Sequence, residues 1–245
     1  MKVLLLAGTG EARALVAGLQ AQGHEVTASL AGATRTPKDL GCETRIGGFG
    51  GNAGFEAWLD ANRPDLVLDA THPFASRVTM RSAKICARRD QSYLLLLRPP
   101  WKADPDAGQH IIEQASNARD HISPGSNVFL ATGRQVLDQF KGLDDCRLYC
   151  RQIDPPDGPF PFANGEFVIG RPPFSVNDEV ALFNKLKIDV LIVKNSGGAA
   201  SASKLEAAKQ LRLTTLLLAR PEPPDASQVN SVTAALDWVR SYADH

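Results

Sequence analysis

Glycine, hydroxyl and basic residues recur directly after short apolar runs in this 245-residue chain, and such positions suit anionic ligands. The first is Gly8, Thr9, Gly10, which follows the apolar run 3–7 and opens a helical pattern. Glycines there let backbone N–H groups approach a pyrophosphate, and the helix amino terminus favours its charge. Arg13 stands where a third glycine would complete the dinucleotide fingerprint, so these residues alone do not separate a nucleotide turn from a plain tight turn. The end of the second apolar run adds information. An NAD site carries a carboxylate there for the ribose hydroxyl, whereas this chain has Ser29, Thr34 and Arg35 and no acid between them. Hydroxyls and a guanidinium suit a 2′-phosphate, so NADPH is expected over NADH; a solvated polar loop is the alternative reading of each residue taken singly.

Three further turns carry similar chemistry. Asp69, Ala70, Thr71, His72, Pro73 follow a strand-like run, and His72 is placed to donate a hydrogen bond or a proton, or to support the turn at Pro73. The helix after it bears Arg77, Arg81, Lys84 and Arg88 near one face, a stripe that attracts carboxylates or simply faces water; the second is expected for Lys84 and Arg88. In the second half, Ala131, Thr132, Gly133, Arg134 and then Lys194, Asn195, Ser196, Gly197, Gly198 with Lys204 form two more polar or basic strand-to-helix turns. The latter is an anion cradle without Walker A spacing.

These turns need strands to hold them. Residues 3–7, 25–30, 65–69 and 93–97 read as strands and 12–22, 55–62 and 77–89 as helices. The proline-rich segment 98–108 reads as a link, after which strands at 127–131, 147–153, 167–170, 189–193 and 214–218 alternate with helices at 136–140, 177–186, 203–210 and 231–242. The alternation predicts two Rossmann-like three-layer α/β/α domains, residues 1–107 and 108–245, with a ligand cleft between them. The first is expected to bind NADP and the second to supply the substrate site.

Lysine plus arginine number 27 and aspartate plus glutamate 27, so no net field draws the chain to nucleic acid or an anionic membrane. The apolar runs are strand-length, too short to span a bilayer, and a cytoplasmic protein is expected. Cys42, Cys86, Cys146 and Cys150 have no zinc or redox spacing and read as reduced packing thiols, with no metal site.

Taken in order, Gly8-Thr-Gly-Glu-Ala-Arg13, Asp69-Ala-Thr-His-Pro-Phe-Ala75, Arg98-Pro-Pro-Trp101, Ala131-Thr-Gly-Arg134, Lys194-Asn-Ser-Gly-Gly198 with Lys204, and Arg220-Pro221 resemble the precorrin-6A reductases over residues 3 to 221. That family has an aspartate where this chain has Asn195, which removes a proton-exchanging group from the position. The resemblance implies hydride transfer from NADPH to one double bond of the macrocycle precorrin-6A, giving precorrin-6B, with a proton delivered to the neighbouring carbon. It implies catalytic roles for His72 and Lys194, and cofactor contacts from Gly8, Thr9, Gly10, Glu11, Thr71 and His72 beside Ser29, Thr34 and Arg35. Contacts to the carboxylate-rimmed substrate are expected from Arg13, Arg98, Thr132, Arg134, Lys194, Ser196, Gly197 and Lys204. Handover to other corrin-pathway enzymes is an expected partnership. Two rival readings are the cobalt-containing version of the step and a non-catalytic NADP-sensing module. A short-chain dehydrogenase is disfavoured, because Tyr93, Tyr149 and Tyr242 lack a lysine four residues on. A methyltransferase is disfavoured by the missing acid after the second strand.

Overall fold

The computed structural model describes residues 1–32 and 38–243. In chain order its strands are β1 (Lys2–Leu6), β2 (Glu25–Leu30), β3 (Glu43–Ile46), β4 (Leu66–Asp69), β5 (Tyr93–Leu96), β6 (Gln109–Ile112), β7 (Asn127–Ala131), β8 (Arg147–Gln152), β9 (Gly165–Ile169), β10 (Val190–Lys194), β11 (Thr214–Leu218) and β12 (Gln228–Val229). The helices are α1 (Gly10–Ala21), α2 (Gly51–Asn62), α3 (Ser76–Arg88), α4 (Val176–Leu186), α5 (Ser203–Gln210) and α6 (Val232–Ala243). The strands form two all-parallel six-stranded sheets, ordered β12-β5-β4-β1-β2-β3 and β6-β11-β10-β7-β8-β9.

The first unit shows why a continuous apolar run becomes a central strand. Val3 and Leu5 of β1 pack with Leu15, Val16 and Leu19 of α1 and with Ala235 and Val239 of α6. Leu4 and Leu6 point the other way, onto Phe55 and Leu59 of α2 and onto Ala83, Ile85 and Cys86 of α3. Both faces of β1 are therefore covered, which a parallel sheet requires.

The chain divides into Met1–Pro99 with Pro221–His245, and Pro100–Arg220. This corrects the expected split at residue 107, because the carboxyl-terminal segment returns to the first sheet. Gln228 and Val229 pair with Leu95 and Leu96 of β5, and α6 lies on α1 so closely that a Cβ at Gly18 would sit 2.5 Å from Leu236 Cδ1.

In the second unit Phe129, Leu191, Val193 and Leu217 from three adjacent strands pack with Phe183 of α4 and with Leu205 and Ala208 of α5. The expected helix at 136–140 is a 3-10 helix over Arg134–Phe140. Strands β3, β6 and β12 add to those read from the sequence. Burial pushes the Cys86 thiol up to about 12 and that of Cys150 up to about 11, as for packing cysteines. No helix among the described residues is long and apolar enough to cross a membrane.

Candidate active site

The turn after β1 is built by three residues with different tasks. Gly8 has φ 144°, a conformation L side chains rarely adopt, and a Cβ at Gly8 or Gly10 would meet nothing within 4 Å. Thr9 caps α1: its Oγ1 accepts from Ala12 N at 3.3 Å and donates to the Ala70 carbonyl at 2.8 Å. That second bond ties the turn to the end of β4, the neighbouring strand. The sheet order reverses between β1 and β4, so this is the switch point where an open α/β sheet binds ligands. Glu11, in the first turn of α1, pairs with Arg98 Nη1 at 3.0 Å, so these two candidates engage each other. Arg13 is exposed on α1.

Ser29 lies at the end of β2, one strand from the turn, and its carbonyl accepts from Ala7 N at 2.9 Å. Its hydroxyl accepts from Arg45 Nη1 at 2.7 Å, a residue of β3 that the sequence reading did not single out. Thr34 and Arg35 lie outside the described residues.

On the other side of β1, the strand end at Asp69 is a buried polar knot. Its carboxylate accepts from Tyr93 Oη at 2.8 Å and from Thr71 N at 2.9 Å, and Thr71 Oγ1 lies 3.1 Å from Thr79 Oγ1. Burial raises the Asp69 pKa above its ordinary value and outweighs these hydrogen bonds, which lower it. The knot fixes the backbone that carries His72. Phe74 N donates to His72 Nδ1 at 3.2 Å, so the neutral ring carries its proton on Nε2. Thr71, His72, Thr79, Met80 and Leu97 line a small cleft with Pro221, Pro223 and Pro224. Along the helix stripe, Lys84 is exposed and Arg88 pairs with Glu56, as expected of a solvated face.

In the second unit a polar row crosses the carboxyl edge of the sheet. Ala131 pairs with Val193 and Leu130 with Cys150, which puts Thr132, Lys194 and Gln152 at one level and on one pleat face of adjacent strands. Thr132 is 3 % exposed, and its hydroxyl and the Gln152 amide nitrogen are buried without a hydrogen-bond partner among the described residues. Gln152 was not anticipated; its only signal is alternation along β8. Burial lowers the Lys194 pKa, with the Cys150 thiol acting weakly the other way.

The next turn is locked from several sides. Asn195 Oδ1 accepts from Trp101 N at 2.8 Å while its Nδ2 donates to Trp101 O at 2.9 Å. Arg220 Nε donates to Asn195 O at 2.6 Å, and Trp101 Nε1 to Gly198 O at 3.2 Å. Ser196 is buried, and Gly197 and Gly198 take φ 65° and 79°. Arg134 opens its 3-10 helix in solvent, 3.6 Å from Asp157. Lys204 donates to Ser201 O at 2.8 Å, and burial lowers its pKa, with Glu179 opposing and Arg151 assisting the shift. Glu179 in turn is held by Arg151 through two bonds of 2.7 Å, a pair separated by 28 residues and invisible to motif reading.

The family model described as Precorrin-6x reductase CbiJ/CobK matches residues 2–240. Proteins named precorrin-6A reductase from Rhodococcus erythropolis and Mycobacterium tuberculosis are each 40% identical, over 97% of this chain and 97% of their own. A cobalt-precorrin-6A reductase from Priestia megaterium is 24% identical over 90% of this chain and 91% of its own. A solved structure titled CobK precorrin-6A reductase superposes with TM-score 0.93 at 33% identity, covering 99% of this chain and 97% of that one. The chain belongs to the precorrin-6x reductase CbiJ/CobK family.

Proposed function

We propose that the chain reduces precorrin-6A with NADPH as hydride donor. The observation that carries the cofactor half is the Thr9-capped glycine turn at the switch point, with open space over Gly8 and Gly10 and, at Ser29, a hydroxyl bonded to a guanidinium in place of a carboxylate. Gly8, Thr9 and Gly10 would hold the pyrophosphate, Ser29 with Thr34 and Arg35 the ribose end, and Thr71 and His72 the nicotinamide end beside β4. NADPH when bound supplies a hydride to an electron-poor carbon.

The protein's own work is binding, orientation and proton handling. The unpartnered Thr132 hydroxyl and Gln152 amide nitrogen fit a ligand bearing acceptor oxygens, which the carboxylates of a precorrin supply. Lys194, Ser196, Gly197, Arg134 and Lys204 extend that surface, and Arg13 and Arg98 are the candidates from the first unit. Of the two proton-handling groups, neutral His72 has its Nε2–H to offer a ligand, whereas forming the imidazolium protonates Nδ1 and costs it the Phe74 N–H bond. The lowered pKa of Lys194 eases proton release from Nζ to the carbon beside the one that accepts hydride. Five relatives named for the cobalt-free substrate are 35% to 40% identical and three named for the cobalt form 24% to 27%, which favours precorrin-6A over its cobalt complex. A cytoplasmic site of action agrees with four free thiols.

Mixing the protein with NADPH and precorrin-6A is expected to oxidise the nicotinamide in proportion to precorrin-6B formed. Binding of NADPH with no oxidation would leave a sensor. Faster turnover of cobalt-precorrin-6A would reassign the substrate.

A further inference from the structure

Among the described residues nine arginines have a carboxylate within ion-pairing distance, whereas Arg45, Arg77 and Arg81 have none. These three belong to one cluster. The Arg45 guanidinium stacks 3.8 Å from the Phe49 ring centroid, and that of Arg81 lies 5.8 Å from the same ring and 5.5 Å from Phe55. Among the described residues, each hydrogen bond from Arg45 goes to a neutral oxygen: Ser29 Oγ at 2.7 Å, Gly47 O at 3.0 Å and Gly48 O at 3.1 Å. The Nε of Arg81 is buried without a hydrogen-bond partner among the described residues. Burial lowers the pKa of both, and Arg77 and Arg45 lower that of Arg81 further, so the charges feel one another. Arg77 and Arg81 also stand four apart on α3, a spacing at which like charges repel. Positive charge gathered against apolar rings without a counter-ion is stabilised by an incoming anion.

Its position identifies the anion. Arg45 is the register partner of Ser29, which adjoins the first turn, so its backbone lies two strands, about 10 Å, from β1. Arg45 and Ser29 are on the β2 and β3 side, where a dinucleotide crossing the switch point places its adenosine ribose; Arg81 reaches the same Phe49 ring from α3, the helix after β4 whose Thr79 and Met80 line the His72 cleft. The Ser29 hydroxyl, having accepted from Arg45, keeps its own proton to give.

We propose that Arg45 and Arg81, stacked about Phe49 and backed by Arg77, seat the 2′-phosphomonoester of the dinucleotide, so that the choice of NADP(H) over NAD(H) is made largely at the end of β3. This rests on the dinucleotide reading above. The test is to titrate the full chain and its Arg45→Gln and Arg81→Gln variants with NADPH and with NADH by nicotinamide fluorescence, and to repeat the NADPH titration against 2′-AMP and 5′-AMP as competitors. Each substitution is expected to weaken NADPH about 10- to 100-fold, the worth of a charge-assisted bond, and to leave NADH unchanged. Competition by 2′-AMP should exceed that by 5′-AMP in the parent and lose that advantage in the variants. Arg81→Gln, on a separate element, α3, keeps the test sound if Arg45→Gln melts early. Equal weakening of both cofactors, or a raised precorrin-6A KM with unchanged NADPH affinity, overturns the inference and assigns the cluster to substrate carboxylates or to folding. A parent chain that binds neither nucleotide overturns the dinucleotide reading and this inference with it.

Discussion

Replacing Glu179 by Gln keeps the shape of the side chain and removes one charge from a buried ion pair. The Glu179 side chain is 0% exposed and that of Arg151 10%, and the two share parallel bonds of 2.7 Å. The guanidinium also lies 4.3 Å from the Phe174 ring and 4.8 Å from Phe129, so it cannot turn outward without leaving both. Breaking a buried pair from one side costs about 3–5 kcal/mol, since the remaining ion is uncompensated. At about 2–4 °C per kcal/mol for a chain of this size, the melting temperature should fall by roughly 6–20 °C. Lys204 adds a pH signature. Its folded pKa lies below the ordinary 10.5, so the unfolded chain binds the extra proton and stability rises as pH climbs from the folded pKa toward 10.5. Glu179 is what holds that pKa up, so in the variant the rise begins at lower pH. Thermal melts from neutral pH to about 10 measure both effects. The double replacement Arg151→Met with Glu179→Leu should recover much of the loss, because apolar residues of similar size remove both desolvation penalties. A single variant that melts within a degree of the parent, with no altered pH slope, would refute the reasoning.

Three other changes probe the site from different directions. Thr132→Val replaces a buried, unpartnered hydroxyl by a methyl, so stability should hold or rise by about 1 kcal/mol while the KM for the macrocycle increases; urea titration and steady-state kinetics read the two, and an unchanged KM removes Thr132 from the binding surface. Tyr93→Phe strips Asp69 of a 2.8 Å donor and should cost about 1–3 kcal/mol. Because Asp69 already titrates above its ordinary 3.8, its contribution is greatest in acid and is lost as pH rises through the shifted value; the variant should extend that loss to higher pH in denaturant melts. Thr9→Ala loses both the α1 cap and the bond to Ala70, about 1–2 kcal/mol together, and Thr9→Ser should restore most of it in the same melts.

The sequence made the central strands plain and the edges obscure, for a physical reason. β1, β4, β7 and β10 are covered on both faces and read as unbroken apolar runs, whereas β3 is an edge strand of sequence Glu-Thr-Arg-Ile with no fully buried residue. β12 has two residues and no pattern of its own, and the apolar stripe of α6 says only that it packs, not that α1 receives it. Hence the chain's return to the first sheet was hidden, and the domain boundary with it. The site divides the same way. Thr9, Thr132 and Ser196 lie on turns whose residue types speak for themselves, while Arg45 and Gln152 lie on strands, and the ion pair that serves Lys204 joins residues far apart in sequence.

Asn195 shows what a residue type can and cannot disclose. Read alone, an amide in place of an acid means a lost proton exchanger. In the fold it accepts from Trp101 N and donates to Trp101 O, so one side chain closes both ends of a single backbone unit. A carboxylate makes the first bond but sets a negative oxygen against the carbonyl in the second, and an aspartate can make both only while it keeps its proton. The amide holds the donor and acceptor at every pH. Position 195 is therefore a clasp on the Trp101 segment in this chain, and its hydrogen bonds do not depend on a titrating group.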